Sequence, residues 1–572
     1  MPGGVGLTSK NGLIGIVVLM KFLLVGINAK YIHSNHAIAS LREYAGEAFA
    51  DCVECAEYTI NNLREDILED IFRRKPDYIG FSVYIWNVSM VKTLLRDINS
   101  ILPEVPVFLG GPEVSFNPEE YLAEFANVQG VFIGEGEETF KELLGVLKSE
   151  HAAEENETSP KPESKHGLVS PEHIKGLFTS DGFSAQRELL SGNNIPFFYS
   201  EKNIRDYDNK IIYYESSRGC PFRCSYCLSS VDKTVRFKDL DKVYEELGFF
   251  LKQRVPQVKF VDRTFNCDVN RAIKIWTFLK QNDNGVTNFH FEVEADLLNE
   301  EAVKLLEELR PGLVQLEIGV QSTNLKTLEA INRKMDISYT KKVVKSLVAK
   351  GNINIHLDLI AGLPFEDLES FKKSFDDIFV LRPHQLQLGF LKVLKGALIN
   401  KQVEEFGIGY SKNPPFEVLG TKWLSYEDIL ELKLVEKMVE IYYNSGQFIH
   451  GIEVLAKKFD SAYDMFLFMG RFHVKRGLLV NNPKRAARYE IMLEIWAEAN
   501  AAVKDGNIGK ASVAGEDETE NDRRMRDALT IDYYIREKPK ARPDFVREIP
   551  AGLTVDYERR NPVTGNCFFT ID

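Results

Sequence analysis

The sequence predicts an α/β chain in three parts: an N-terminal doubly wound parallel sheet, a (β/α)6 part-barrel and a mainly helical C-terminal region. Three observations predict it. Five short β-rich apolar runs alternate with amphipathic helical stretches over residues 20–150, six further strand-then-helix units fill 195–399, and helical periodicity dominates 400–572. At 572 residues the chain is also too long for one ordinary core, so several domains are expected.

The apolar run "LIGIVVLM" at 13–20 is broken by Lys21, is too short to span a bilayer, and lacks the basic flank and small-residue cleavage site of a signal peptide. Residues 1–19 are therefore expected to be an extension without function, with Met20 as a natural start. The runs "KFLLVGIN", "CVECAEYTI", "DYIGFSVYI", "PVFLGGPEV" and "VQGVFIGEG" then give a flavodoxin-like sheet. Ligands of such sheets sit beyond the strand carboxyl ends, here "NAKYIHSN", "SVYIWN", "GGPEVSF" and "GEGEET". Gly110, Gly111, Gly134 and Gly136 would let backbone approach a flat or bulky ligand, or simply turn the chain before a helix. Residues 151–194 open on the polar stretch "HAAEENETSPKPESKHG" and read as a linker.

Hydrophobic content of 44% with 27% charged residues is that of a soluble globular protein, and a formal charge of −13 offers no general field for a phosphate backbone. Neither nucleic acid nor membrane is expected as a partner. Seven cysteines, an odd and sparse set, fit a reducing, cytoplasmic compartment better than a disulfide framework.

The second series of strands reads "KIIYYESS", "VKFVDRTF", "HFEVEAD", "LVQLEIGVQS", "NIHLDLIAGLP" and "HQLQLGFLKVL", and barrel chemistry belongs at such strand ends. Directly after the first of them comes "RGCPFRCSYC", with Cys220, Cys224 and Cys227 at C-x3-C-x2-C spacing. Three thiolates on a short loop can close on one soft metal centre: zinc, copper(I) or iron–sulfur. Structural zinc normally takes four protein ligands, whereas three thiolates on a [4Fe–4S] cluster leave one iron open. Cys267, after the next strand, is the alternative fourth ligand.

With Tyr226 just before the third cysteine, this motif at the first strand end of a part-barrel resembles the radical S-adenosylmethionine (SAM) enzymes. The resemblance implies that the open iron is chelated by the methionine amino and carboxylate groups, and that reductive cleavage yields a 5′-deoxyadenosyl radical. It places Tyr226 by the adenine, Glu294 at the amino group, Arg333 at the carboxylate, and Gln321 with Asp358 at the ribose hydroxyls, pairings that guanidinium and carboxylate chemistry supports. The family's glycine-rich segment after the second strand is replaced by "VDRTFN", where Asp262 and Asn266 are the candidates.

The N-terminal sheet resembles that of the branch that binds cobalamin (B12). This implies a cobalamin site at Ser82, Trp86, Gly110, Gly111, Glu113, Gly134 and Gly136. The D-x-H-x-x-G motif of that branch is missing from "INAKYIHSNHAI", so His33 or His36 is a candidate lower ligand of cobalt, against a plainer reading in which Ser34 or Asn35 caps a helix. Cys52 and Cys55 lie at i and i+3 of a strand, point to opposite faces, and are expected to be buried side chains rather than a second cluster site.

The implied function is a cobalamin-dependent radical SAM methyltransferase acting on an unactivated carbon or phosphorus centre. A ring-forming or ring-rearranging enzyme using the same cofactors is the alternative, and a non-catalytic binding protein stabilised by zinc is the third reading. A reducing partner such as flavodoxin or ferredoxin is implied. In the C-terminal region, "KWLSYEDILELKLVEKMVEIYYNSG" reads as a core-facing helix, "REKPKARPDFVREI" as a solvated basic face, and Cys567 as idle.

Overall fold

The seven residues of β1 (Phe22–Asn28) are all buried, because this strand sits inside a sheet covered on both faces. The computed structural model describes residues 20–155, 174–481 and 483–537 apart from 507 and 509–517, with Pro543, Asp544, Val546 and the strand residues 553–560 and 567–571. The extension read over 1–19 lies outside the described residues. Contacts divide the chain into two units, one running to Tyr213 with Arg236–Asp239 and Asn413–Pro415, the other comprising the rest from Tyr214.

In the first unit, β1 pairs in parallel with β2 (Val53–Thr59) on one side and β3 (Tyr78–Ser82) on the other, followed by β4 (Val107–Gly110) and β5 (Val128–Phe132). The order β2-β1-β3-β4-β5 is the doubly wound, flavodoxin-like one, with its switch point between β1 and β3. Alternate residues of β1 serve opposite cores. Leu23, Val25 and Ile27 join Ile67 and Ile71 of α2 (Arg64–Arg74) and Val91, Leu94 and Ile98 of α3 (Val88–Ile101). Phe22 and Leu24 pack with Ile38 of α1 (His36–Ala45) and with Phe140, Leu143, Leu144 and Leu147 of α5 (Glu137–Glu155). The short α4 (Pro118–Glu124) lies between β4 and β5 in the chain.

Within 151–194, β6 (Leu177–Thr179) pairs antiparallel with β5 and β7 (Gly182–Phe183) antiparallel with β6, and residues as far as Tyr213 belong to the first unit. The reason is apolar: Leu177 fills the space over Gly130, where a Cβ would come within 2.9 Å of its methyl group.

The second unit begins inside β8 (Ile212–Tyr214). Two-residue strands β9 (Ser217–Arg218) and β10 (Arg236–Phe237) precede β11 (Gln257–Phe260), β12 (Asn288–Val293), β13 (Val314–Gln321), β14 (Asn354–Ala361) and β15 (Gln385–Phe390). The six-stranded sheet has the order β15-β14-β13-β12-β11-β8, with β11 to β15 pairing in parallel and β8 held by a Val261 N to Tyr214 O bond of 2.9 Å. Helices α6 (Leu240–Gln253), α7 (Val269–Gln281), α8 (Glu300–Glu307), α9 (Leu325–Ala330), α10 (Ile337–Lys350) and α11 (Leu368–Phe379) fill the connections. This is the (β/α)6 part-barrel. Leu316, Ile318 and Val320 of β13 and Ile355, Leu357 and Leu359 of β14 are fully buried on one face, while Glu317, His356 and Asp358 occupy the alternate, lumenal positions.

The C-terminal region is mainly helical, with α12 (Leu398–Lys401), α13 (Val403–Phe406), α14 (Tyr426–Met438), α15 (Ile449–Ala456), α16 (Ala462–Lys475), α17 (Leu478–Asn481), α18 (Ala487–Lys504) and α19 (Glu518–Arg536). Antiparallel pairs β16 (Gly409–Tyr410) with β17 (Val418–Gly420), and β18 (Leu553–Arg560) with β19 (Cys567–Ile571), interrupt it. It is not separated from the barrel, since both lie in one unit. Asn444, in a wide helical turn after α14, accepts from Leu386 N and donates to Leu386 O at 2.9 Å each, closing the exposed edge of β15. Among the described residues, no helix is long and apolar enough to cross a membrane.

Candidate active site

The cysteine loop leaves β9 through Gly219, whose φ of 98° only glycine adopts without strain and whose missing Cβ makes room for the Thr234 carbonyl. Ser225 pins the loop at both ends of its peptide unit: its N donates to Ile331 O at 2.9 Å and its O accepts from Ile399 N at 2.8 Å. Cys220 and Cys224 are buried, Cys227 is half-buried, and Cys227 N donates to Cys224 O at 3.1 Å. Cys220 Sγ lies 3.6 Å from Thr264 Oγ1 and Arg333 Nη1 donates to Cys224 Sγ at 3.7 Å. Burial pushes both thiols above the ordinary cysteine range, with Arg333 opposing at Cys224.

Glu294, at the end of β12, meets Arg333, which follows α9. Arg333 Nη2 donates to both carboxylate oxygens at 2.7 Å and also to the Gly319 carbonyl. Burial disfavours the guanidinium charge, yet Glu294 beside it, with Tyr226 and Cys224, holds its pKa above the ordinary arginine value. Opposite charges are thus buried only as a pair. Tyr226 is half-buried in the same field, its phenol pushed far up by burial.

Asn266 brackets Glu294 through the backbone, donating to Glu294 O at 2.8 Å and accepting from Glu294 N at 2.9 Å. Asp262 is fully committed at the end of β8, where it accepts from Ser216 N and Ser216 Oγ at 2.9 Å and from Ser217 Oγ; burial raises it to about 6 against these bonds. Both side chains therefore shape the site from behind. Gln321 sits at a bulge of β13 with φ 70°, over Gly319, and its Oε1 is buried without a hydrogen-bond partner. Asp358 Oδ1 lies 3.1 Å from His356 Nε2, further into the lumen. Cys267 is half-buried in the turn after β11, its thiol raised to about 11 by burial.

At the carboxyl ends of the first unit's sheet the chemistry is different. Trp86 stacks on Tyr84 at 4.4 Å and donates its Nε1 to Ile27 O at 3.1 Å. Tyr31, Ile32, Trp86 and Phe116, following β1, β3 and β4, are large apolar side chains left exposed, Tyr31 at 67% and Trp86 at 44%. Gly111 has φ 114°, and a Cβ there would meet the Val83 carbonyl; Gly134 has φ 81°. A Cβ at Gly110 would meet Phe132 at an ordinary 3.5 Å, and one at Gly136 would meet Leu41 at a tight 3.2 Å.

Ser82 and Glu113 are buried, and Ser82 Oγ accepts from Asn35 Nδ2 at 3.1 Å. Asn35 also donates to Asn28 Oδ1 and caps α1 by accepting from Ile38 N, so it knots the ends of β1 and β3 to the helix. His33 Nδ1 is 2.6 Å from the Tyr213 hydroxyl, while His36 meets the Phe198 ring edge-on. Sequence reasoning missed Asn28 and Asn87, the latter fully buried and donating to Ile27 O and Ser82 O. It also missed the lumenal Lys259, His290, Glu292, Glu317 and His356, for which the signal was charge at every second position of strands such as "HFEVEAD".

The donor sets fit the groups that such a fold implies. Three thiols on one short loop, with Cys224 touching a buried carboxylate–guanidinium pair, and the unpartnered Gln321 Oε1 suit a cluster with an open iron and a zwitterionic ligand with hydroxyls. An exposed aromatic rim over glycine turns at a switch point suits a large flat cofactor. Fold and site together define a two-cofactor α/β protein.

Family models agree region by region: residues 23–144 match the B12 binding domain, 214–378 the radical SAM superfamily, and 404–557 a protein of unknown function (DUF4080). The chain therefore carries a B12-binding domain followed by a radical SAM domain. It is 23% identical to the cobalamin-dependent radical SAM methyltransferase TokK of Streptomyces tokunonensis over 68% of this chain and 56% of that protein. It is 24% identical to the anaerobic magnesium-protoporphyrin IX monomethyl ester cyclase of Rubrivivax gelatinosus over 55% and 56%. The chain thus spans little more than half the length of these relatives. In fold it is similar to the cobalamin-dependent S-adenosylmethionine radical enzyme OxsB, solved with aqua-cobalamin and S-adenosylmethionine bound, with a TM-score of 0.59 at 14% identity over 90% of this chain and 84% of that one.

Proposed function

We propose that this protein is a cobalamin-dependent radical SAM methyltransferase acting on an unactivated carbon or phosphorus centre. The observation that carries the reading is the buried Glu294–Arg333 pair beside the three thiols, in a chain that also has a B12-binding domain. When bound, the [4Fe–4S] cluster supplies the electron for reductive SAM cleavage and the corrinoid supplies the methyl carrier.

Cys220, Cys224 and Cys227 would hold the cluster. Glu294 takes the ammonium and Arg333 the carboxylate of the methionine moiety, a zwitterion that satisfies both buried charges at once and so conserves their balance. Asn266 fixes the backbone that presents Glu294, Gln321 offers its free amide oxygen to a ribose hydroxyl, and Tyr226 stands by the adenine. Trp86 and Tyr31 would supply apolar surface for the corrinoid, Gly111 and Gly134 turn the backbone at neighbouring strand ends, and His33 is held by Tyr213.

The likeness to the cyclase keeps ring formation without methyl transfer as a second reading. The test uses anaerobically reconstituted protein with reductant, cobalamin, 13C-methyl SAM and a metabolite extract. We expect 5′-deoxyadenosine and a labelled C–CH3 or P–CH3 product, both lost in Cys224→Ala. Deoxyadenosine without labelled product overturns methyl transfer in favour of ring chemistry; neither, despite an intact cluster, overturns catalysis altogether.

A further inference from the structure

The lumen of the barrel carries a second, sulfur-free donor set. Glu317 on β13 and His356 and Asp358 on β14 bring their donor atoms within 4.8 Å of one another. His290 on β12 stands beside Glu317, its Nε2 3.0 Å from Glu317 Oε2, and it is 7% exposed. His356 Nε2 lies 3.1 Å from Asp358 Oδ1.

His290 Nε2 and Asp358 Oδ1 are both buried atoms without a hydrogen-bond partner although each has an oppositely typed atom within about 3 Å. Ligand atoms at such separations also have the relation of two ligands to one metal: bonds of about 2.0–2.1 Å in a tetrahedron put ligand atoms about 3.3 Å apart. Lys259 donates to Glu317 Oε2 at 3.1 Å, the support from outside that orients a ligating carboxylate.

We propose that Glu317, His356 and Asp358 form a binding site for a divalent cation, zinc by the nature of the ligands, with His290 beside Glu317. Imidazole with carboxylate suits zinc, the charges of Glu317 and Asp358 match it, and the side chains of Glu317 and Asp358 remain 22% and 20% exposed, which leaves an entry path. Asp358 then serves the cation rather than a ribose. The inference does not depend on methyl transfer.

The test equilibrates the cluster-loaded full chain with zinc chloride, passes it through metal-free buffer, and measures zinc and iron per chain. About one zinc is expected, unchanged when Cys220, Cys224 and Cys227 are all replaced by Ser, and at least tenfold lower in Glu317→Gln and His356→Gln with iron unchanged. No retained zinc, or equal zinc in all variants, overturns the site. Zinc-edge absorption of the wild type decides even where a variant folds poorly: a nitrogen and oxygen shell at about 2.0–2.1 Å is expected, and a sulfur shell overturns it.

Discussion

At the carboxyl ends of the N-terminal sheet the side chains are large, apolar and exposed; at those of the barrel strands they are charged or thiol-bearing and buried. Tyr31 and Trp86 lose little if a neighbour is removed, since each keeps much of its surface in water. Glu294 and Arg333 have only each other and the groups around them. Loss on the first face should therefore be graded and loss in the second nearly all-or-none, because a buried charge cannot turn to solvent when its partner goes.

The largest effect is expected from Cys224→Ala, which removes one of three ligands from a site with none to spare; visible absorbance after reconstitution and 5′-deoxyadenosine formation should both vanish. Next is Glu294→Gln, which leaves the Arg333 charge buried and unbalanced and should lower unfolding free energy by about 3–5 kcal/mol. A denaturation cycle sharpens this: the double variant Glu294→Gln, Arg333→Met should cost less than the two single changes together, and strict additivity would show that the pair does not couple.

Glu366 gives a pH-dependent test between these extremes. Burial raises its carboxyl from 4.5 to about 7, against hydrogen bonds from Ser322 Oγ and Ser374 Oγ that tie the segment after Gln321 to α11. An acid whose pKa is higher in the folded state favours folding most at low pH, where both states hold the proton. As pH rises from 4.5 to about 7 the unfolded chain ionises first, so this share of stability, about 3 kcal/mol, is lost across that window. Glu366→Gln should flatten the stability profile between those values, as measured by denaturant midpoints at pH 5 and pH 8.

The smallest effect belongs to the exposed face. Trp86→Ala forfeits one hydrogen bond to Ile27 O and the stack on Tyr84, and should cost about 1 kcal/mol of stability with a several-fold loss of cobalamin affinity by equilibrium titration. A hundredfold loss there would erase the contrast between the two faces.

Legibility followed sequence distance. The alternation of apolar runs gave both sheets, and the three cysteines with their glycine were visible because loop, thiols and turn lie side by side in the chain. The short strands β6 and β7 were hidden in a polar stretch, because their stability comes from Leu177 filling the space over Gly130 and not from local pattern. The joining of the C-terminal helices to the barrel edge through Asn444 was equally invisible, resting on one amide fifty-eight positions from its partner.

By itself the sequence determined the class of this protein: periodicity sets which faces are apolar, and a C-x3-C-x2-C loop can place three thiols on one centre whatever surrounds it. Only the tertiary structure decided that Glu294 meets Arg333, that Asn266 and Asp262 work from behind the site, and that His290, Glu317, His356 and Asp358 share one lumen. Strand register fixes such contacts, and a one-residue shift in β12, β13 or β14 would turn His290, Glu317, or His356 and Asp358 to the other face.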